Sequence, residues 1–285
     1  VAVIGASRRR RTVGGEMFHN LLHSDFDGPA YPVNPTSEVV QSVRAYRSIL
    51  ETPGPVDLAV LVVPAVHAAG VLEECGQKGV KAVIVISAGF KEIGGEGVRR
   101  EEELVRIARR HGMRLLGPNC LGVMTSDEDL SLNATFAGTF PAPGPVSFLS
   151  QSGALGAVVL DLAARRGIGL SSFVSVGNKC DVSGNDMLEY WEQDPRTRVI
   201  LMYLESFGNP RKFVQIARRV GRQKPIVAVK SGRTLSGSRA AASHTGSMAG
   251  TDVAVDALFR QSGVIRVDTT EELFDTAMLL ASQPA

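Results

Sequence analysis

The sequence predicts an α/β protein of two doubly wound parallel-sheet domains in tandem. Short β-branched runs alternate with longer amphipathic stretches along the whole chain. The short runs are almost continuously apolar, as strands covered on both faces are. The alternation breaks once, in "MTSDEDLSLNATFAGTFPAPGP", and then restarts. Strand–helix alternation is the mark of a parallel sheet, and a single break makes two of them. The predicted division is residues 1–125, a connection over 126–144, and residues 145–285.

In the first half, "VAVIG", "PAYPVN", "DLAVLVV", "KAVIVIS" and "RLLGPN" read as strands. Between them "GGEMFHNLLHS", "HAAGVLEECGQKG" and "GVRREEELVRIARRHG" read as helices, the last with Val98, Leu104, Val105, Ile107 and Ala108 near helical spacing and Gly112 as its stop. In the second half, "PVSFLS", "LSSFVSV", "RVILMYLE", "PIVAVKS" and "VIRV" read as strands. The helices there are "GALGAVVLDLAARRG", "VSGNDMLEYWEQD", "NPRKFVQIARRVG", "GTDVAVDALFRQSG" and "TTEELFDTAMLLA", the last opened by Thr269 or Thr270 ahead of Glu271 and Glu272.

Composition narrows the function classes. The 285 residues carry a net charge of +2, with 44% hydrophobic and 21% charged residues, which are globular values and not those of a disordered or fibrous chain. Near-neutral charge gives no reason to expect nucleic acid or a membrane surface as partner. The longest apolar run, "DLAVLVVPAV", is too short to span a bilayer. Cys75, Cys120 and Cys180 are few, odd in number and widely spaced, so no disulfide framework and no metal site are expected, and a reducing cytoplasm is. The chain opens on "VAVIG", without Met and already inside a strand pattern, and shows no signal-peptide pattern. It is expected to be a piece of a longer protein.

The first candidate site is "VAVIGASRRRRTVGGEMF", a strand, a glycine turn and a helix. Gly5 permits close backbone approach, Ala6 and Ser7 complete the turn, and a helix start at Gly14 offers free N–H groups to a phosphate. Arg8 to Arg11 add positive charge beside it. The other strands of this half end in "VNP" with Asn34, "VPA" with Pro64, "SAGF" with Ser87 and Gly89, and "GPNC" with Asn119. In a doubly wound sheet those ends share the edge where ligands bind. Cys120 lies there too, but no histidine has an evident route to it, and it reads as buried structure.

The second candidate site gathers four strand ends. "SQSGALG" places Ser150, Gln151, Ser152 and Gly153 between a strand and a long helix, an anion site made of backbone with no basic residue in its loop. "SVGNKCD" and "YLES" follow, the latter putting Glu205 where an apolar strand stops. "VKSGR" then leads to "SRAAASHTGSMAG", where His244 sits among small residues. A carboxylate bonded to one imidazole nitrogen leaves the other nucleophilic, and a helix start facing that nitrogen can hold a phosphoryl group. Together they suit a phosphohistidine. His19, His23, His67 and His111 lie on helix faces or ends and read as structural.

"YPVNP", "GPVDLAVLVVPA", "ECGQKGVKAVIVISAGFKE", "GPNCLG", "FLSQSGALG", "SVGNKCDV", "KSGR" and "SHTG", in this order, resemble the nucleoside-diphosphate-forming acyl-CoA synthetases, which include ADP-forming acetyl-CoA synthetase and, more distantly, the succinyl-CoA synthetase α subunit. The resemblance covers nearly the whole chain. It implies a Rossmann-like CoA-binding domain followed by a flavodoxin-like domain. It makes Gly5, Ala6, Ser7, Asn34, Pro64, Ser87, Gly89 and Asn119 the expected CoA contacts. His244 becomes the phosphorylated histidine, Glu205 the glutamate that steadies it, and Ser150 to Gly153 the phosphate-binding helix start. The implied reaction is acyl-CoA + Pi + NDP ⇌ acid + CoA + NTP, with the nucleotide and Mg²⁺ held by an ATP-grasp domain or subunit in an oligomeric, cytoplasmic enzyme. "SRRRRTVGG" is more basic than the family's usual first loop. A related group fuses these domains to a GNAT acetyltransferase, where they sense CoA or acyl-CoA as a regulatory module. That is the alternative reading. A plain dinucleotide oxidoreductase is disfavoured because the second strand, "YPVNP", ends without an acid.

Overall fold

The computed structural model describes residues 1–231 and 252–283. The chain divides into two compact units, the first built from residues 1–140 and 175–182 and the second from 141–174 and 183–285.

The first unit opens with β1 (Ala2–Ile4), α1 (Val13–Leu22) and β2 (Tyr31–Val33). A small antiparallel pair follows, β3 (Val39–Val40) and β4 (Val43–Arg44). Next come β5 (Leu58–Leu61), α2 (Ala65–Lys78), β6 (Ala82–Val85), α3 (Glu96–His111) and β7 (Arg114–Leu116). The sheet order is β2-β1-β5-β6-β7, every pair parallel. The order reverses between β1 and β5, so the crevice where such sheets bind ligands lies at the ends of those two strands. One core cluster joins strand and helix faces, with Ile4, Val33, Leu61, Leu72, Val85, Phe90, Leu104 and Leu115 all buried. Gly112 ends α3 with φ +68°, in the left-handed region expected of a helix stop.

The stretch expected as a connection carries structure. After β8 (Gly122–Thr125), the strand β9 (Leu132–Thr135) pairs back antiparallel, and all four of its residues are buried. Asn20 of α1 donates to the Thr135 and Ala137 carbonyls at 2.9 and 2.7 Å, which ties the hairpin to the first unit. The polar composition of 126–144 hid this strand. Asn133 and Thr135 bond each other inside the hairpin, Thr135 Oγ1 donating to Asn133 Oδ1 at 2.8 Å, so polar side chains are buried without a water-facing role.

The second unit runs β10 (Pro143–Ser150), α4 (Gly153–Arg165), β11 (Leu170–Ser175), α5 (Gly184–Gln193), β12 (Val199–Leu204), α6 (Pro210–Val220) and β13 (Ile226–Lys230). After the undescribed residues come α7 (Asp252–Ser262), β14 (Ile265–Val267) and α8 (Thr270–Ser282). Its strands are ordered β14-β13-β12-β10-β11, and β10, β12, β13 and β14 pair in parallel. Counted within the unit this is the same winding order as the first, reversing between β10 and β12. The start of α8 is capped as the sequence suggests, Thr269 accepting from the Glu272 N–H at 3.1 Å; on α5, Ser183 and Asp186 form a capping box that the sequence reading did not single out. Phe148, Phe173, Trp191, Phe213, Phe259 and Phe274 fill the core, and the Trp191 indole donates to Ser172 at 2.8 Å.

Candidate functional site

In the first unit the predicted residues fall at the C-terminal ends of the strands. Gly5 follows β1 at φ +93°, its N–H bonded to the Val33 carbonyl at 3.0 Å. A Cβ there would run into the Val62 carbonyl, and one on Gly14 would overlap the Gly5 carbonyl. Backbone meets backbone at the winding reversal, and only glycine allows it. Asn34 then locks the loops after β1 and β2 together. Its Nδ2 donates to the Ala6 carbonyl at 2.8 Å, and its Oδ1 accepts from the Thr36 N–H at 2.9 Å, Thr36 Oγ1 at 3.0 Å and the Ser37 N–H at 3.0 Å. The Ser7 hydroxyl accepts from the Arg9 N–H at 3.1 Å. On the other side Ser87 Oγ donates to the Val63 carbonyl, beside the exposed Pro64, and the Asn119 N–H donates to the Ser87 carbonyl at 2.9 Å.

The arginine run divides. Arg10 is taken by Glu16 at 2.9 Å, and the Arg11 N–H donates to the same carboxylate at 2.7 Å. Bonding to Arg10 holds Glu16 below the usual carboxylate range. Arg8, Arg9 and Arg11 are exposed and their guanidinium groups make no ion pair among the described residues, Arg11 meeting Glu16 only through its backbone.

One cluster escaped the sequence reading. Asn178 Nδ2 donates to Glu92 Oε2 at 2.6 Å and to Glu101 Oε2 at 2.8 Å, while Glu92 Oε1 accepts from the Gly89 N–H at 2.6 Å. Burial pushes Glu101 upward. Burial also acts on Glu92, but its bonds from Asn178, Gly89 and Phe90 outweigh it and hold that carboxyl below its usual range. The Gly89 N–H is therefore already paired within the protein. Nothing in "RREEELV" separates Glu101 from its acidic neighbours, because its partner lies 77 residues away.

The cysteines are not nucleophiles. Cys120 is buried, bonds the Val85 carbonyl through Sγ at 3.4 Å, and is pushed up to about 12 by burial; Cys75 and Cys180 are raised alike. His111 pairs with Glu73 at 2.9 Å, and His19 stacks on His23.

In the second unit the loops after β10 and β12 meet at the winding reversal. Gln151 joins them: its Oε1 accepts from the Glu205 and Ser206 N–H groups at 2.7 and 2.8 Å, and its Nε2 donates to the Ser206 carbonyl at 2.7 Å. Its carbonyl oxygen and one of its two amide hydrogens are thus engaged in holding the Glu205–Ser206 backbone. Ser152 caps α4, accepting from the Leu155 N–H at 3.3 Å, and Ser150 Oγ donates to the Ser152 carbonyl at 2.7 Å. The N–H groups of Gly153 and Ala154 precede the first intrahelical bond of α4, from the Gly156 N–H to the Ser152 carbonyl, and are not used within the helix. Ser150 pairs with Tyr203 and Leu204 with Lys230, so the ends of β10, β12 and β13 lie side by side. His244 lies outside the described residues. Among the described residues no group of three or more His, Cys, Asp or Glu is placed to hold a metal, and no helix is long and apolar enough to cross a membrane.

Two doubly wound units, each with a glycine or helix-start loop at its winding reversal, place the chain in the class of tandem doubly wound α/β proteins. Comparison with known proteins makes this specific. The CoA-binding domain profile matches residues 1–126, and the succinyl-CoA ligase-like flavodoxin domain profile matches residues 143–280. The chain belongs to the NDP-forming acyl-CoA synthetases, of which it carries the CoA-binding and flavodoxin-like ligase domains. It is 47% identical to the α subunit of acetate–CoA ligase [ADP-forming] I of Pyrococcus furiosus, over 100% of this chain and 62% of that protein. It is 44% identical to the 4-hydroxybutyrate–CoA ligase [ADP-forming] of Nitrosopumilus maritimus, over 100% of this chain and 41% of that one. Among solved structures it superposes with a TM-score of 0.93 on the dinucleotide-forming acetyl-coenzyme A synthetase 1 of Ca. Korarchaeum cryptofilum in complex with phosphate and ADP, at 42% identity over 99% of this chain and 61% of that one. The chain spans between 41% and 62% of the length of these relatives.

Proposed function

We propose that the chain is the α-type portion of an NDP-forming acyl-CoA synthetase, an acid–thiol ligase interconverting acyl-CoA + Pi + NDP with acid + CoA + NTP. Phosphate attacks the thioester carbonyl, giving acyl phosphate and CoA thiolate. His244 then takes the phosphoryl group, releasing the carboxylate, and passes it to NDP. Relatives of nearly equal identity are named for acetate and for 4-hydroxybutyrate, so the reading is stated for an acyl group. The NDP and Mg²⁺ are held by an ATP-grasp subunit or domain, in an oligomeric cytoplasmic assembly.

Gly5, Ala6, Ser7, Asn34, Pro64, Ser87, Gly89 and Asn119 form the CoA edge in this reading, Asn34 by fixing the first loop and the rest by lining the approach. Ser150, Gln151, Ser152 and Gly153 form the phosphate edge: Gly153 by its N–H, Ser150 and Ser152 by shaping the turn, and Gln151 by holding Glu205 in place. Glu205 orients His244. The observation that carries the reading is the Gln151 bridge, which fixes an acid beside a helix start at the winding reversal. The relatives compared above are named as ligases, which favours the synthetase over the acetyltransferase-fused sensing module.

The test is phosphoryl labelling. Incubation with acyl-CoA and radiolabelled phosphate should give an acid-labile, base-stable label that His244→Ala abolishes and Glu205→Gln reduces, with CoA binding intact in both. A wild-type protein that stays unlabelled with NTP and an ATP-grasp partner would sink the catalytic reading.

A further inference from the structure

The match to the CoA-binding profile ends at residue 126, and Asn178 follows β11, yet Asn178 packs in the first unit. Gly177 brings it there. Its φ is +50°, and a Cβ on it would strike the Pro118 and Asn119 carbonyls, so glycine lets the two backbones meet. The Asn178 N–H then donates to the Pro118 carbonyl at 2.9 Å, in the loop after β7. Its side chain reaches elsewhere. One amide nitrogen donates to Glu92, in the turn after β6, at 2.6 Å and to Glu101 of α3 at 2.8 Å. Three segments of the first unit are joined through this one residue.

The joint decides what the loop after β6 can offer a ligand. The Glu92 carboxylate accepts from the Gly89 N–H at 2.6 Å and the Phe90 N–H at 3.1 Å, and Glu101 accepts from the Lys91 N–H at 3.3 Å. Three consecutive N–H groups are spent on carboxylates. Lys91 and Arg100 are the cations nearest the pair. Lys91 is exposed and favours the ionised form of Glu101; Arg100 is taken by Glu96 at 3.2 Å and by the Gly89 carbonyl at 3.4 Å. The loop after β1 is of the opposite kind, with exposed Arg8, Arg9 and Arg11 ahead of a helix start. A phosphate is favoured there and repelled beside Glu92 and Glu101.

In a doubly wound sheet the phosphates of a nucleotide ligand lie at the first helix start and its ribose lies toward the end of the second strand. The rest of the ligand crosses the winding reversal. For CoA the rest is the pantetheine arm, which is uncharged and carries amides. It crosses from β1 toward β5, β6 and β7, onto the loops that Asn178 joins.

We propose that Asn178 is a positioning residue for CoA: through Glu92 and Glu101 it holds the loop after β6 in the shape that receives the pantetheine arm. The proposal rests on the reading of Gly89 and Asn119 as part of the CoA edge. Without the amide, two carboxylates are left close together with no donor between them. Glu92 then moves away from the Gly89 and Phe90 N–H groups, and the loop loses its shape.

The test titrates the 285-residue chain by calorimetry with CoA and with adenosine 3′,5′-bisphosphate, which keeps the adenosine end of CoA and lacks the pantetheine arm. Asn178→Ala should weaken CoA about tenfold and the bisphosphate less than about twofold. Asn178→Asp keeps the shape of the side chain but sets a third carboxylate where a donor is needed, so it should weaken CoA at least as much as Asn178→Ala does. Hydrogen exchange on the wild type needs no variant: CoA should slow exchange at residues 87–92 and 117–119, and the bisphosphate should not. The proposal is overturned if Asn178→Asp binds CoA as wild type does, if the variants lose CoA and the bisphosphate to the same extent, or if CoA leaves exchange at those residues unchanged. A wild type that binds neither ligand defeats the CoA reading itself. A wild type that binds both, with both variants unchanged, defeats this proposal alone.

Discussion

Gln151→Ala isolates the link between packing and chemistry in the second unit. The substitution removes a carboxamide that accepts two N–H bonds and donates one, at 2.7, 2.8 and 2.7 Å. Each such bond is worth about 1 kcal/mol net, so the three sum to about 3 kcal/mol. Glu205 and Ser206 are half-buried, so water reaches the exposed groups and recovers part of that, leaving an expected loss of about 2 kcal/mol. Urea unfolding at fixed pH measures it. The chemical effect should exceed the stability effect at temperatures where the variant is fully folded: with the loop after β12 released, Glu205 no longer holds one geometry, and the rate of His244 labelling should fall about tenfold to a hundredfold. Gln151→Glu is the control. It keeps both acceptors and loses the donor, so it should preserve more stability than the alanine variant while adding a negative charge that weakens phosphate binding. An unfolding free energy for Gln151→Ala within about 0.5 kcal/mol of wild type, together with normal labelling, would refute the claim that this side chain sets the Glu205 loop.

Gly5→Val places a β-branched residue at φ +93° against the Val62 carbonyl. It should destabilise the first unit by about 2 kcal/mol or more and abolish CoA binding in calorimetry; unchanged CoA affinity would remove Gly5 from the site. Glu101 has a raised pKa in the folded protein, so the stability linked to its protonated form is full below the ordinary glutamate value and is lost as pH rises through the folded one. Glu101→Gln should therefore lessen the loss of stability between acid and neutral pH, and a denaturation series giving parallel pH profiles for the two proteins would contradict this.

What the sequence made legible was whatever depends on local pattern. Apolar runs named the strands, Gly112 and Thr269 marked helix ends, and a glycine after β1 marked the close approach at Gly5. Roles that depend on a distant partner stayed hidden. Gln151 reads from the sequence as part of an anion-binding helix start, and only the position of Glu205 and Ser206 reveals it as a brace. Glu101 is one of three consecutive glutamates until Asn178 picks it out. The strand β9 reads as connection because its stretch is polar and carries Gly and Pro, and composition cannot reveal that Asn133 and Thr135 satisfy each other.

The first unit is discontinuous, and this bears on how the chain is made. Residues 175–182 belong with 1–140: the Val182 N–H bonds the Leu115 carbonyl at 3.0 Å, the Cys180 N–H bonds the Gly117 carbonyl at 3.1 Å, and Asn178 bridges Glu92 and Glu101. During synthesis from the N-terminus, a ribosome that has released Phe140 has not released the partners of those groups. The nascent first unit waits, with two carboxylates missing their amide, while β10, α4 and β11 are translated. Its completion is therefore timed by elongation through the second unit. A gene cut at the apparent boundary near residue 140 would yield a polypeptide permanently held at that unfinished stage.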